Sequence, residues 1–556
     1  IQDVEAYSKN IKVLNKKMFI KESEEWSMKH LKKIVSLLLT AVMVLAMCIP
    51  VMADTNKYTI TISNAGAGHT YEAYQVFKGN ISDGKLTDID WGSNVKKITY
   101  NGKDSAQDIA ALLTDVSTAE DFAKEVAKNL SSTEHSAVTP ENTTECTIGN
   151  LDAGYYLIKD KDNTVPENSS YTNFILKVVG NVTVTTKMDV PTVEKKVKEN
   201  VKNVNELGED TDVRIPDYKI SPKYNDVADY NIGDKVPFEL IGTMPSNVES
   251  YKTYYYEFVD TLSKGLTYDT GTMTIVLKNS SNNTIPITVT PNVVINSDGT
   301  TSLNITFDDI KASAKAVDNN FKITSDTKVI VDYTATLNEN ANIGMVGNVN
   351  EVYLKFSNNP NGNGQGKTPE DKVIVFTYEL DTKKVDGADN TKLLKNAEFV
   401  LKNADGTKYA KVTNGKFAGW VDEDQATKLI TGDDGLIKVA GLDDGTYRLE
   451  ETKAPDGYNK LSKDVIIIIT ATTINGQTWN GTPSNAIERL NVTADGKSGT
   501  ADVTTGIVTV QIENNSGSTL PSTGGIGTTI FYVVGVILML GAGVLLVTKK
   551  RMSSNR

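Results

Sequence analysis

Cysteine is almost absent from this chain of 556 residues, which has only Cys48 and Cys146. Cys48 falls in an apolar run near the N-terminus that reads as a leader, so Cys146 has no partner and an intrachain disulfide is excluded. Histidine is equally scarce, with three in all. One of them, His30, belongs to the same leader, and the two that remain, His69 and His135, are each expected to stand alone. Without a Cys/His cluster there is no basis for a zinc site, nor for a Ser-His-Asp triad. Positive charge is in deficit, 58 Lys and Arg against 70 Asp and Glu for a net charge of −12, which argues against a nucleic-acid binder. The acidic residues gather mainly in turns such as Asp443-Asp444-Gly445, and the twelve-residue calcium-loop pattern is missing, so these read as plain turns and no metal is expected. What the chain does have is a hydrophobic content of 39%, ample for packed cores, and a length that suggests three or four domains.

Both ends carry targeting signals. Residues 1–27 are polar and read as an upstream extension of the reading frame with no structural role. Met28-Lys29-His30-Leu31-Lys32-Lys33 is basic, Ile34 to Ile49 is apolar and Val51-Met52-Ala53 is a small-residue cleavage site, so 28–53 reads as a secretory signal peptide. At the other end, Leu520-Pro521-Ser522-Thr523-Gly524 lies in a short stretch, 516–525, before an uncharged run, 526–547. As a helix that run would be roughly 33 Å long, enough to cross a bilayer core. The tail 548–556, with Lys549, Lys550 and Arg551, would stay on the cytoplasmic side. Pentapeptide, span and basic tail in this order resemble the cell-wall sorting signal of Gram-positive surface proteins. The resemblance implies that a sortase cleaves between Thr523 and Gly524 and hands the new carboxyl group to an amine.

Between the two signals the chain divides into three units rich in short alternating apolar and polar runs, the mark of antiparallel β domains. In the first, 54–187, one segment departs from that pattern. Ile109, Leu112, Leu113 and Val116 fall at helical spacing, and Ser117-Thr118-Ala119-Glu120 reads as a capping box opening a second helix to Leu130. In the second unit, 188–376, strand periodicity puts Lys195 in phase with Val193 and Val197, Asp260 with Tyr254, Tyr256 and Phe258, and Asn350 with Val352, Leu354 and Phe356. The third, 377–515, repeats the order, with Lys384 in phase with Tyr378 and Leu380, Glu451 with Tyr447 and Leu449, and Asn514 with Val508, Val510 and Ile512. An amine, a carboxyl and a carboxamide pointing the way core residues point would each cost several kcal/mol if buried alone. Their recurrence in the same order is a reason to expect chemistry among them.

The segments around these residues have a family likeness. YRLEETKAPDGY resembles the E-box of sortase-assembled pilins. KKVD and ENNSGSTLPSTGG resemble the two ends of a collagen-adhesin B-type (CnaB) domain. VPTVEKKV, FVDTLSKGLTY and NENANIGMVGNVNEVYLKFSNNP resemble the isopeptide-forming domain in the middle of a pilus shaft subunit. The resemblance implies a mainly β chain of tandem Ig-like sandwiches (CnaA/CnaB-type), in which Lys195–Asn350 and Lys384–Asn514 close amides by themselves. Asp260 and Glu451 would be the assisting acids, with no cofactor. It also implies a shaft pilin, with polymer growth through a lysine just before the middle unit, here Lys187. The implied partners are sortase, identical subunits, accessory pilins and peptidoglycan, with room for a host matrix or surface ligand. The same domains on a monomeric wall-anchored adhesin are the alternative, and an anchored enzyme is disfavoured for want of a catalytic constellation.

Overall fold

In KVIVDYTATL every second side chain is apolar or aromatic, and in the computed structural model the strand Lys328–Leu337 buries Val329, Val331, Tyr333, Ala335 and Leu337 while the residues between them face outward. Period-two burial of this kind is how an antiparallel sheet presents one face to a core, and it recurs through the chain. The structure describes residues 57–133, 135–186, 189–200, 224–360, 362–473, 479–517 and 526–553. The expected signal peptide, Lys187 and the Leu520–Gly524 pentapeptide lie outside them.

The stretch 189–376 forms two sheets of seven strands each, six in a row plus one short side strand, Leu266–Tyr268 on Lys328–Leu337 in one and Gln365–Lys367 on Asn348–Ser357 in the other. One runs in the order Tyr224–Asn225, Val193–Lys198, Lys235–Thr243, Lys328–Leu337, Thr274–Lys278, Thr284–Ile287. The other runs Val227–Asp229, Asp371–Phe376, Asn348–Ser357, Tyr256–Leu262, Thr301–Phe307, Asn292–Ile295. Their inner faces meet in one core that includes Phe238, Leu240, Tyr256, Phe258, Tyr333, Leu354 and Phe356. Because the strands that carry Lys195 and Asn350 belong to opposite sheets, these two side chains approach each other across the sandwich.

From Tyr378 to Asn514 the strands join in one continuous thirteen-stranded sheet around a core of Tyr378, Leu380, Phe399, Tyr447, Leu449, Ile467, Val508 and Ile512. Its first long strand, Tyr378–Asp386, pairs in parallel with its last, Ile507–Asn514, placing Lys384 opposite Ile512 and Asp386 opposite Asn514. Parallel neighbours cannot be joined by a tight turn. Here the whole of the intervening unit is the connection, and the two ends of the unit lie side by side.

The N-terminal unit is smaller, with the three-stranded sheet Glu145–Leu151, Tyr58–Ser63, Val182–Thr185 and a five-stranded sheet around Thr70–Ser82 and Gly154–Asp160. Two helices, Ala106–Leu112 and Val116–Ala127, pack Ile109, Phe122 and Val126 against Phe77 and Trp91. The helix boundary differs from the expectation. Val116 opens the second helix, whose N-cap is Asp115, not Ser117: the Asp115 carboxylate accepts from the Thr118 amide at 2.9 Å and from the Ser117 hydroxyl at 2.8 Å. A carboxylate at the cap satisfies the orphan amide and favours the helix dipole, and Ser117, already bonded to it, is left inside the first turn. At the C-terminus a single helix, Ile526–Ser553, holds a span, Ile530–Lys550, long and apolar enough to cross a membrane.

One glycine sets where Asn350 sits. Gly347 has φ +57°, and a β-carbon there would lie 2.5 Å from Ile374 Cδ1 and 2.8 Å from Phe376 Cε1, so the chain can enter the strand Asn348–Ser357 only without a side chain. Gly347→Ala is expected to destabilise the chain by on the order of 1–3 kcal/mol. Urea unfolding of the two proteins checks this, and an unchanged midpoint would contradict it.

Candidate functional site

In the middle unit the strand Val193–Lys198 carries Lys195 inward because Val193 and Val197 flank it on the buried face. Its neighbour Lys196 leans outward and pairs with Asp226 at 2.6 Å. Lys195, Asp260 and Asn350 are all fully buried. The Lys195 ammonium and the Tyr333 hydroxyl each donate to one oxygen of the Asp260 carboxylate. Lys195 Nζ also reaches Tyr333 Oη at 3.2 Å, and Asn350 Nδ2 donates to the same Oη at 2.7 Å. Asn350 Oδ1 accepts no hydrogen bond among the described residues. Rings of Phe238 and Tyr333 stand 5.4 and 5.5 Å from the amine and keep water away.

Burial lowers the pKa of the Lys195 amine below the usual lysine range, against the pull of Asp260, and burial raises the Asp260 carboxyl against the pull of Lys195. Both shifts favour the neutral forms. Tyr333, buried and beside Asp260, is pushed well above the normal phenol range and keeps its proton.

The third unit builds a second cluster from three strands, Tyr378–Asp386, Gly445–Lys453 and Ile507–Asn514. Lys384, Glu451 and Asn514 are each at most 1% exposed. Lys384 Nζ lies 3.5 Å from Glu451 Oε1, while Glu451 Oε2 accepts from Asn514 Nδ2 at 3.0 Å and from the Leu461 amide at 2.7 Å. Asn514 Nδ2 donates a second time, to Asn459 O at 2.5 Å. The Phe399 ring is 5.7 Å from the amine. Burial pushes the Lys384 amine down to about 8, with Glu451 opposing.

Each cluster thus sets a lysine amine with a lowered proton affinity beside a carboxyl that reaches an asparagine carboxamide, Glu451 directly and Asp260 through the Tyr333 hydroxyl. A neutral amine is a nucleophile and a carboxyl bonded to the carboxamide can move protons between the two, so the arrangement can form an amide with loss of ammonia. The clusters differ in two ways. The middle one spans two sheets and the third joins adjacent strands of one sheet, and only the middle one has a tyrosine. Tyr333 was absent from the sequence reading, although its signal is there: it occupies a core position in KVIVDYTATL. Asp371, which accepts from the Lys195 amide at 2.6 Å, carried no such signal.

Two other expectations need correction. His69 does not stand alone: its Nδ1 is 2.6 Å from Asp160 Oδ1 and its Nε2 is 2.7 Å from Ser169 Oγ. His69 is far from both partners in sequence, 91 residues from Asp160 and 100 from Ser169, and no local spacing announced the cluster. Asp443 and Asp444 do lie in the turn between the strands Leu436–Leu442 and Gly445–Lys453, but the turn is not a plain one: both are buried beside Asp229, with one carboxylate oxygen from each within 4.8 Å of the others. Protein groups bond them: Asn200 Nδ2 donates to Asp443 at 3.0 Å and Tyr378 Oη to Asp229 at 3.1 Å.

Known families match along the same architecture. The Gram-positive pilin backbone subunit 2, Cna-B-like domain matches 232–360, the prealbumin-like fold domain matches 378–482 and the LPXTG cell wall anchor motif matches 512–554. The trypsin-resistant surface T6 protein of Streptococcus pyogenes serotype M6 is 25% identical over 389 residues, 58% of this chain and 65% of the relative's own length. The solved T6 backbone pilin of serotype M6 Streptococcus pyogenes matches with a TM-score of 0.50 at 17% identity, covering 84% of this chain and 100% of that one. The group B streptococcus pilus 2b backbone protein is 26% identical over 53% of this chain and 97% of its own, with a TM-score of 0.39. Tandem β units followed by this anchor define a cell-wall-anchored surface protein of the Gram-positive type. Within that class the chain carries a pilin-backbone domain and the anchor motif, and it is similar to the T6 surface protein.

The lowered Lys384 affinity has a measurable consequence where the amine stays free, as in Asn514→Ala. The unfolded chain holds the lysine proton up to pH 10.5, the folded one only up to about 8, so between these values the unfolded state binds more protons. Stability of that variant is therefore expected to rise from pH 8 to 10.5, by on the order of 3 kcal/mol. Denaturant titrations against the same variant with Lys384→Met isolate the effect. A flat difference would show that the amine is not desolvated.

Proposed function

We propose that the chain is the structural subunit of a covalently polymerised, wall-anchored pilus, hardened by two internal amides, Lys195–Asn350 and Lys384–Asn514. The observation that supports it most is the pair of buried lysine–acid–asparagine clusters upstream of the anchor. In each, the neutral amine attacks the carboxamide carbon, the acid (Asp260 or Glu451) donates to the carboxamide oxygen and carries a proton from the amine to the departing nitrogen, and ammonia leaves. The C–N bond to Nδ2 breaks as the bond to Nζ forms. In the middle unit Tyr333 holds both the acid and the carboxamide and keeps them in register. By analogy with a disulfide, a crosslink closing a loop of more than a hundred residues contributes roughly 4–5 kcal/mol. Resistance to pulling and to proteases is the larger gain.

Polymerisation is proposed to follow from cleavage between Thr523 and Gly524 of Leu520-Pro521-Ser522-Thr523-Gly524, with the acyl group of Thr523 passing to Lys187 of the next subunit or to peptidoglycan. Lys187 follows directly on Thr186, whose hydroxyl and amide tie the end of the strand Val182–Thr185 to Asn64 and Ser63, at the edge of the N-terminal unit. Sortase and identical subunits are the required partners, and accessory pilins fit the same chemistry.

Two experiments test this reading. An anti-subunit immunoblot of cell-wall extract boiled in SDS is expected to give a ladder that collapses to monomer in a Lys187→Ala strain. One band in the wild type would instead indicate a monomeric anchored adhesin, and ladders that persist in the variant would move the link to another lysine. Tryptic mapping is expected to recover Lys195 joined to Asn350 and Lys384 joined to Asn514, each pair one ammonia lighter than its parts. Glu451→Ala should restore the second ammonia and lower the melting temperature; linear Asn514 peptides from the wild type would refute that amide.

A further inference from the structure

His69 and Asp160 are completely buried, and His69 is packed between the Tyr71 ring, stacked at 5.8 Å, and the backbone of Gly66, where a β-carbon would lie 2.3 Å from the imidazole. Asp160 ends the strand Gly154–Asp160, and its second oxygen accepts from the Thr172 amide at 2.7 Å. With Asp160 ionised its carboxylate can only accept, which puts an imidazole proton on Nδ1 and leaves Nε2 to accept from the Ser169 hydroxyl. Hydroxyl, imidazole and carboxylate stand in the order that activates a serine.

What faces this serine comes from the middle unit. The loop 166–171 lies on the segment that follows the strand Asn348–Ser357: the Tyr171 amide donates to Asn358 O at 2.7 Å, and the Lys367 amide donates to Glu167 O at 2.7 Å. The Asn358 side chain, 3% exposed, donates from Nδ2 to the carbonyl of Ser169 itself at 3.3 Å. Its Oδ1 accepts no hydrogen bond among the described residues and points at Gly364, where a β-carbon would lie 2.5 Å from it. A buried carboxamide with a bare oxygen is therefore bonded to the main chain of the residue whose hydroxyl the imidazole holds, at the junction of two units.

We propose that Ser169, His69 and Asp160 make a self-acylating site whose acyl donor is Asn358, giving an ester between Ser169 Oγ and Asn358 Cγ that ties the N-terminal unit to the middle one. His69 takes the hydroxyl proton as Oγ adds to Cγ; the Cγ–Nδ2 bond breaks, and His69 returns the proton to the leaving nitrogen, which departs as ammonia. Asp160 positions the imidazole. Atoms and charge balance with no further reactant. The two residues are 189 apart in sequence, and the two proposed amides each lie within a unit, so this bond would be the one that crosses between units.

Tryptic mapping of the full chain, purified in detergent, tests the proposal independently of the lysine amides, because different peptides report it. The expected product is peptide 162–177 joined to peptide 356–367, one ammonia lighter than their sum. Hydroxylamine near neutral pH should split it, since esters yield under conditions that leave amides intact. Ser169→Ala should return both linear peptides, and His69→Gln should do the same while its N-terminal unit keeps the wild-type resistance to limited trypsin digestion, which shows that this unit still folds. Recovery of the two unmodified linear peptides from the wild type in high yield overturns the proposal. So does a joined pair that resists hydroxylamine, or one that survives in His69→Gln.

Discussion

An amine, a carboxyl and a carboxamide fully buried in a β-sandwich form the constraint on which the rest depends. Left as ions, Lys195 and Asp260 would each carry a desolvation cost of several kcal/mol, recovered only in part by their mutual attraction. Left neutral they are reactive toward the carboxamide that shares their cavity. The surrounding architecture serves this placement: Phe238 and Tyr333 exclude water from one amine and Phe399 stands over the other. A core that would be a poor choice for stability through non-covalent forces alone is a good vessel for a reaction whose product is an uncharged amide.

The two clusters set the same three groups in different geometry. In the middle unit the reacting strands lie in opposite sheets, so a bond would fasten one layer to the other and hold the sandwich shut. In the third unit they are parallel neighbours, the first and last strands, and a bond there would carry tension along the edge without loading the hydrophobic core behind it. Hydrogen bonds between neighbouring strands in shear share load, but each contributes only about 1 kcal/mol net. A covalent link in the same position does not depend on their cooperation. Such a link would harden a chain whose one described cysteine, Cys146, is free.

The junction between the N-terminal and middle units has its own logic. The loop 166–171 is held from beneath by the buried His69–Asp160 pair and from above by backbone contacts to Asn358 and Lys367. A rigid series of units transmits force only if its junctions are as firm as its interiors, and here the polar network lies where the chain passes from one to the next.

Much of this was legible in the sequence because strand periodicity converts position directly into direction. Once Val193 and Val197 mark the inner face, Lys195 has to point inward, and the same arithmetic applies to Asp260, Asn350, Lys384, Glu451 and Asn514. The anchor was legible for a similar reason: a membrane span is a statement about composition and length, which a sequence contains in full. Tertiary structure decided what periodicity cannot express, namely which inward-facing residues meet. Tyr333 shares its phase with Val331 and Ala335, and only sheet order brings its hydroxyl between Asp260 and Asn350. Asp371 is far along the chain from Lys195, His69 lies 91 and 100 residues before Asp160 and Ser169, and the turn acids Asp443 and Asp444 are buried because a neighbouring unit covers them. Direction follows from local backbone geometry; proximity follows from how the sheets close, and that is a property of the whole chain.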